Sequence, residues 1–546
     1  MEQQMTSYRE SSCQIIPRSF HLTENETYLF DLLLNFKKNS DEPIAKTELR
    51  VVGGWVRDKL LGRPCDDIDI ALSNVTGKVF LEYFKKWPGS QNFNIGNFGV
   101  IRQNPLKSKH LETSTMTFNN FSLDFVNLRS EKYTEDSRIP SEMDFGTPQS
   151  DAYRRDFTIN SLFYFLDKDY VEDWTGRGLS DLNEKRLSTP LAPLQTFLDD
   201  PLRLLRAIRF ASTLGFQFDA ELLYASKNSS VREKLRNNIS LERIGTELDK
   251  MLTYGDPAKS LSLICNDVSI DDILFDFSPT NLSFFECIRH GLKIVEKVCA
   301  SLTVVEEDSC TFVLDSFSNS LSLKVSRYIR CFLAYAAFFY PLSLKDFSPT
   351  YSKGKKQNSK VFSILMHRLK KKKKDIHRLF TLYKQFEFCF DRILKLHAAV
   401  NFWTNILKAW TVDPYSMKSL DAPLLNVSED FLNCPQVHIG LLLRWETEKY
   451  WQASLFLTFI IHEIFWKENY QRAMQEIYTM TLSMDSLSIF SPPRLDGFEL
   501  QKKLKRKPQS MNIAKLLHYE TQLLLKKPTI TTDELLDTLN TYHDTL

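Results

Sequence analysis

Gly53-Gly54-Trp55-Val56-Arg57-Asp58-Lys59-Leu60-Leu61-Gly62, followed by Asp67-Ile68-Asp69-Ile70-Ala71, decides the reading of this chain. The first part has the grammar of a strand that ends in a glycine turn and opens a helix. Backbone N–H groups at such a helix start can face an anion, with Arg57 one turn on to neutralise charge. The second part reads as a strand, whose side chains alternate faces, so Asp67 and Asp69 project to one side with Ile68 and Ile70 behind them. Two neighbouring carboxylates repel unless a cation sits between them. The pair therefore points to Mg²⁺-dependent phosphoryl transfer, in which metal ions neutralise a triphosphate and activate an attacking hydroxyl. A glycine pair alone marks a tight turn, and an acidic pair alone can be a solvated strand end; their succession favours a site.

Working outward, residues 1–22 read as a loose arm, and Thr23-x-x-Glu26 makes a capping box ahead of the apolar face Leu29, Leu32, Leu33 and Phe36. A first helix is expected from Glu24. From Leu49 to Phe165 the pattern is β-rich: Leu49–Val52, Asp67–Leu72, Phe98–Arg102, Met116–Phe118, Leu123–Leu128 and Ile159–Phe165. Helical pieces at Trp55–Leu61 and Gly77–Trp87 interrupt these runs, which predicts an α/β catalytic head around one mixed sheet. Beyond Phe197 strand signals fade and helical periodicity continues to the C-terminus, with an exposed Ser-, Lys-, Gly- and Pro-containing linker between Leu344 and Lys360. The fold class is α+β.

In 546 residues, 70 basic against 68 acidic side chains leave a net charge of +2, so nucleic-acid binding needs a local patch. One is present: Lys353, Lys355, Lys356, Lys360, Arg368, Lys370, Lys371, Lys372, Lys373, Lys374, His377 and Arg378, relieved by Asp375. Such runs are often solvated faces or localisation signals; within a helical body, a phosphate-contacting surface for RNA is as good a reading. Nine cysteines without a C-x-x-C pair argue against a disulfide framework or structural zinc. The apolar runs Cys331–Leu342 and Leu455–Trp466 are too short for a bilayer and read as core helices. Glu2, Arg9, Glu10 and Arg18 without an apolar stretch make the N-terminus neither a secretory signal nor a transit peptide. A cytoplasmic protein is expected, with nucleus and mitochondrion as further compartments.

Three more segments carry polar chemistry. Asp124, in Ser122-Leu123-Asp124-Phe125-Val126, alternates away from its apolar neighbours and is a candidate third catalytic carboxylate or general base; an edge-strand charge is the alternative. Arg154-Arg155-Asp156-Phe157-Thr158-Ile159-Asn160 gathers two guanidinium groups for phosphate with Asp156 and Asn160 for ribose hydroxyls, or else a surface ion-pair cluster. In Asp199-Asp200-Pro201-Leu202-Arg203-Leu204-Leu205-Arg206, Asp200 reads as a helix N-cap with Pro201 at the first helical position. Asp200 and Arg203, three residues apart, also offer one acceptor edge and one donor fork on the same side. Cytosine and adenine each show an amine donor beside a ring-nitrogen acceptor, so such a pair accepts C and A and repels G and U.

Taken together, these segments resemble the class II tRNA nucleotidyltransferases, the CCA-adding enzymes of the polymerase β-like superfamily, most closely the eukaryotic type. The likeness spans Leu49 to about Leu252 and includes Lys109-His110-Leu111-Glu112-Thr113, Asp124 to Tyr133 and Glu242-Arg243-Ile244-Gly245-x-Glu247 besides the motifs above. It implies a polymerase β-like mixed-sheet head (23–187), a neck with nucleotide-selecting helices (188–255), an all-helical tRNA-binding body (256–490) and a helical tail (491–546). It also implies two Mg²⁺ ions on Asp67 and Asp69. Nucleotide would be held by Gly53, Gly54, Arg57, Arg154, Arg155, Asp156, Asn160 and Arg206, with the base read by Asp199, Asp200 and Arg203.

Substrates would be CTP and ATP, and the partner the tRNA acceptor arm, with Lys370, Lys371, Lys372, Lys373, Lys374 and Arg378 on the RNA. No membrane and no obligate protein partner are implied, for a monomer or dimer. Arg129, Glu131, Lys132 and Tyr133 match the family's flexible loop, which is implicated in the switch from CTP to ATP. Near the C-terminus, Gln509-Ser510-Met511 replaces the family's Gly-Pro-Trp, which is compatible with an enzyme specialised for part of the CCA end. A poly(A) polymerase and a catalytically dead RNA-binding protein are the rivals.

Overall fold

The computed structural model describes residues 13–89, 95–101, 113–118, 121–132, 142–276, 282–306, 309–314, 321–346, 351–352, 355–356, 360–388, 460, 494–505, 508, 510–527 and 529–545. The chain divides into two compact units, Met1–Pro279 and Thr280–Leu546. The first is built on β1 (Gln14–Pro17), β2 (Leu49–Val52), β3 (Asp67–Leu72), β4 (Ile95–Ile101), β5 (Thr113–Phe118) and β6 (Phe121–Asn127). Next come β7 (Arg129–Lys132), β8 (Glu142–Phe145), β9 (Leu162–Phe165) and β10 (Tyr170–Asp173). Eight of these make one mixed sheet in the order β1-β10-β9-β2-β3-β6-β5-β4. Only β3 and β6 run parallel; the other neighbours in that sheet are antiparallel.

The expected first helix forms as α1 (Glu24–Lys38), with Thr23 and Glu26 closing the capping box and Leu29, Leu32, Leu33 and Phe36 buried. Its Phe36 meets Phe80 and Phe84 edge-on, at centroid distances of 5.3 and 5.0 Å. Those rings belong to a second covering helix; in chain order the helices here are α2 (Gly54–Leu60) and α3 (Gly77–Lys86). After the sheet follow α4 (Pro148–Tyr153), α5 (Gly178–Asn183), α6 (Pro193–Asp199) and α7 (Leu202–Leu214). Beyond them lie α8 (Ala220–Ser226), α9 (Ser229–Asn238) and α10 (Leu241–Tyr254), the last packed along α7.

Two expectations need correction in this unit. The N-terminal arm contributes to the sheet: β1 pairs antiparallel with β10, and Phe20 packs edge-on against Trp55 and Tyr164. Its side chains are largely exposed, so backbone hydrogen bonds hold it and no apolar alternation announces it. The run Ile159–Phe165 is also shorter as a strand, because Thr158–Asn160 coil into a 3₁₀ turn before β9 begins.

In the second unit, helices Leu282–Ala300 and Arg327–Asp346 pack against each other. Between them in sequence lies an antiparallel three-stranded sheet of Leu302–Glu306, Ser309–Leu314 and Leu321–Ser326, a departure from the all-helical body. Thr303-Val304-Val305 and Thr311-Phe312-Val313 are β-branched and aromatic runs too short for a helix, which is the signal that helical periodicity on either side obscured. Helices Lys373–Phe388, Gly497–Lys503, Ser510–Lys526 and Thr532–Thr545 follow. The apolar run Cys331–Leu342 is a core stretch, as expected, with Leu333, Ala336 and Ala337 fully buried. Of Leu455–Trp466 only Ile460 is among the described residues. No helix among the described residues is long and apolar enough to cross a membrane.

The seat of α3 on the sheet is tight. A Cβ at Gly77 would stand 2.6 Å from the carbonyl oxygen of Phe125 and 3.1 Å from Ser114 Cβ. Gly77→Ala is therefore expected to destabilise the first unit by about 1–3 kcal/mol, the usual cost of overpacking. Urea unfolding followed by circular dichroism reads this, and an unmoved transition contradicts the packing.

Candidate active site

Asp67 and Asp69 stand on one face of β3, exposed and half-buried, with Ile68 and Ile70 fully buried on the other. The parallel neighbour β6 sets Asp124 directly beside Asp69 and Ser122 beside Asp67. Partners in a parallel ladder share a face, so the third carboxylate joins the first two on one side of the sheet. Because β6 lies between β3 and β5, the edge-strand alternative for Asp124 falls. Among the described residues no group of three or more His, Cys, Asp or Glu side chains is gathered closely enough to hold an ion by itself. Magnesium is commonly bound by one or two carboxylates with substrate phosphates and water completing its shell, and Asp67 and Asp69 are donors of that type.

Above this face β2 ends in Gly53, whose φ of +77° suits glycine, and α2 opens at Gly54. A Cβ on Gly53 would meet Arg155 Nη1 at 2.9 Å and Asp69 Oδ2 at 3.9 Å. The missing side chain lets a strand turn, an acidic strand and a guanidinium converge on one point. Behind Gly54, Arg57 is buried, forked onto Asp58 at 2.9 and 2.7 Å and donating from Nη1 to Asn160 Oδ1 at 2.6 Å.

The arginine segment is more ordered than a surface cluster. Asp151, in α4 and 1 % exposed, accepts from Arg154 Nε at 2.8 Å through Oδ1 and from Arg155 Nε at 2.9 Å through Oδ2. Burial alone would raise its pKa, but the two guanidinium groups outweigh that and lower it. Asp156 accepts from Asn160 Nδ2 at 3.0 Å and pairs with Arg206 at 2.6 Å. Burial opposes its charge, yet Arg206, Asn160 and Arg203 together hold its pKa at about 2. A continuous polar chain, Arg57–Asn160–Asp156–Arg206, thus joins α2 to α7. Phe210, also on α7, stacks under the guanidinium groups of Arg57, Arg206 and Arg209 at 5.0, 5.5 and 4.2 Å.

At the start of α7 the helix begins one residue later than expected. Asp200 lies outside it in an extended conformation and Pro201 takes the cap position. The carboxylate still serves the helix end, accepting from Leu202 N at 3.1 Å, and its other oxygen accepts from Arg243 of α10 at 3.2 Å. Arg203 donates to the Arg154 carbonyl at 2.8 Å, which ties the start of α7 to the arginine segment. Asp199 closes α6. A second brace between α7 and α10 is Arg209–Glu247 at 2.8 Å.

Arg129, Glu131 and Lys132 lie in β7, paired with β8; Tyr133 falls outside the described residues. Lys370 to Lys374 lead into the helix Lys373–Phe388, which also carries Arg378, and Lys370, Lys372, Lys373 and Lys374 are exposed. Lys371 sits over the Tyr335 ring at 4.9 Å. Lys353, Gln509 and the segment 109–112 lie outside the described residues, while Ser510 and Met511 open the helix Ser510–Lys526. Sequence reading passed over Asp58, Asp151, Phe210 and the Arg243–Asp200 pairing. Asp151 had a signal, three and four residues ahead of two arginines on a helix; the Arg243–Asp200 contact, 43 residues apart, had none.

Residues 49–188 match the family described as the poly A polymerase head domain. The head domain so defined holds the glycine turn, all three carboxylates and the Arg154–Asn160 segment. Over about half its length the chain is also similar to curated CCA tRNA nucleotidyltransferases. A mitochondrial CCA tRNA nucleotidyltransferase of Candida glabrata is 46 % identical over 275 residues, 48 % of this chain and 50 % of that one. In Schizosaccharomyces pombe, tRNA nucleotidyltransferases cca1 and cca2 are 40 % and 38 % identical, covering 54 % and 50 % of this chain and 56 % of each of theirs. The fold likeness reaches further. A Thermotoga maritima CCA-adding enzyme solved with tRNA aligns over 95 % of this chain and 96 % of its own, at TM-score 0.51 and 18 % identity.

The depressed pKa of Asp156, about 2 in the folded head, has a definite sign. The ordinary value is about 3.8, so its ionised form stabilises the fold above that pH and the contribution fades as pH falls towards 2. The wild type is expected to lose about 2 kcal/mol more stability than Asp156→Asn between pH 4 and 2. Denaturant titrations across that range measure the difference; parallel curves contradict the assignment.

Proposed function

We propose that this chain adds nucleotides of the CCA end to the 3′ end of tRNA, taking them from CTP and ATP without a template and releasing pyrophosphate. The observation that carries the reading is the convergence at Gly53 of Asp69 and Arg155, which sets a carboxylate strand and a phosphate-binding cation around one glycine turn. Magnesium ions on Asp67 and Asp69 would supply charge neutralisation at the triphosphate and a more acidic 3′-hydroxyl. Arg154 and Arg155, both oriented by Asp151, are the guanidinium groups for phosphate oxygens. Asp156 and Asn160 hold the ribose end, and Asp124 serves beside Asp69. Asp199, Asp200 and Arg203 read the base, held in register by Arg243 and the Arg154 carbonyl.

In this reading residues 188–255 are the neck, 256–490 the tRNA-binding body with its Lys370–Lys374 patch on the acceptor arm, and 491–546 the tail. The names of relatives at 46 % identity favour the mitochondrion as one of its compartments. A second reading, an enzyme that adds only CC or only A, is favoured by the nearly equal likeness to two separate nucleotidyltransferases of one organism.

Purified protein with Mg²⁺ and tRNA transcripts lacking CCA, CA or only A, resolved at single-nucleotide length, tests the reaction. Full CCA on the first transcript supports the first reading, arrest after CC or extension of the last transcript alone the second, and a long A tract a poly(A) polymerase. Asp67→Ala and Asp69→Ala are each expected to cut incorporation by roughly a thousandfold or more, since charge stabilisation worth several kcal/mol is lost. Circular dichroism should show both variants folded, and retained turnover removes the pair from the metal site. Asp200→Ala or Arg203→Ala is expected to let GTP and UTP compete; unchanged selectivity in nucleotide mixtures takes them out of base reading.

A further inference from the structure

Glu26 lies on α1, ahead of the matched head domain, and is 2 % exposed. A Glu at the third position of a capping box normally reaches back to the cap and ends there. Here Oε2 accepts from Thr23 N at 2.7 Å and also from Lys59 Nζ at 2.6 Å, while Oε1 accepts from Trp55 Nε1 at 3.1 Å. Both donors on α2 are four residues apart and so share one helical face. Arg57, halfway between them, is turned roughly 200° from each, onto the face that reaches Asn160. Trp55 is boxed besides by Phe20, Phe30 and Tyr164 at centroid distances of 5.5, 5.6 and 5.9 Å.

A helix of seven residues has little stiffness of its own. Its rotation about its axis is set by what grips it on each side. We infer that Glu26 is a positioning residue for nucleotide binding: gripping Trp55 and Lys59, it fixes the rotation of α2 and thereby holds Arg57 and the Gly53–Gly54 turn against the triphosphate. The inference rests on the proposed nucleotidyl transfer and deepens it.

The test compares full-length wild type with Glu26→Gln, Lys59→Met, their double variant and Lys37→Met. Lys37 ties α1 to Asp167 without touching α2, so its loss loosens the same helix elsewhere. Calorimetric binding of ATP and KM values for ATP, CTP and tRNA are measured alongside thermal unfolding. Glu26→Gln is expected to weaken ATP binding and raise KM for both nucleotides by about fivefold or more, with KM for tRNA unchanged. Lys59→Met does the same, and the double variant is no worse than the stronger single one, because one latch is broken only once. Lys37→Met lowers the unfolding temperature and leaves the nucleotide constants alone. Nucleotide binding unchanged in Glu26→Gln, or weakened equally in Lys37→Met, overturns the inference. Wild type that binds ATP and extends no tRNA overturns the proposed function instead, and the latch is then decided on the binding data.

Discussion

Two buried carboxylates five positions apart hold the face around the Gly53 turn in shape: Asp151 and Asp156 between them engage Arg154, Arg155 and Arg206. A charge taken out of water costs several kcal/mol unless it is paired and its remaining lone pairs are satisfied. Asp151 meets that demand with two guanidinium groups, Asp156 with Arg206, the Asn160 amide and its own neighbour's backbone N–H. Each carboxylate therefore fixes the direction of the cations it holds. Removing one would strand like charges close together, so the arrangement is stable as a set and fragile in its parts. The chain of contacts from Arg57 through Asn160 and Asp156 to Arg206 also means that the Gly53–Gly54 turn and α7 share one electrostatic anchor.

Crowding supplies the second constraint. Gly53 has a positive φ, and a side chain there would press on the Arg155 guanidinium. Gly77 does the same for α3 over β6, where a backbone oxygen sits against the missing Cβ. The two glycines fix the distances at which a turn and a helix approach the sheet. The carboxylates on β3 and β6 depend on those distances for any shared ligand.

Much of the head was legible because its signals are local. A capping box, a glycine turn, alternating Asp and Ile on β3, and Asp124 flanked by Leu123 and Phe125 each name their own geometry within a few residues. The pairing of Asp69 with Asp124 is a register, which alternation permits without dictating. Arg243 on Asp200, Arg206 on Asp156 and Phe210 under three guanidinium groups join distant segments, and no spacing rule reports them. The arm strand β1 was missed for the opposite reason: its stability comes from backbone bonds, and its side chains face solvent. The sheet of the second unit was hidden by the helical pattern on both sides of it.

The unequal reach of the likenesses follows from the physics of the two halves. Sequence identity with a curated relative covers 48 % of the chain, whereas the fold likeness to a solved CCA-adding enzyme covers 95 %. A site built from carboxylates and guanidinium groups at hydrogen-bond distance needs particular atoms, so few residues can serve at each position. Helical bundles that need only bury apolar faces and present basic side chains tolerate exchange of almost any residue for another of like volume or charge. The head is therefore expected to remain recognisable by sequence long after the body is recognisable only by its architecture, and this chain shows both conditions at once.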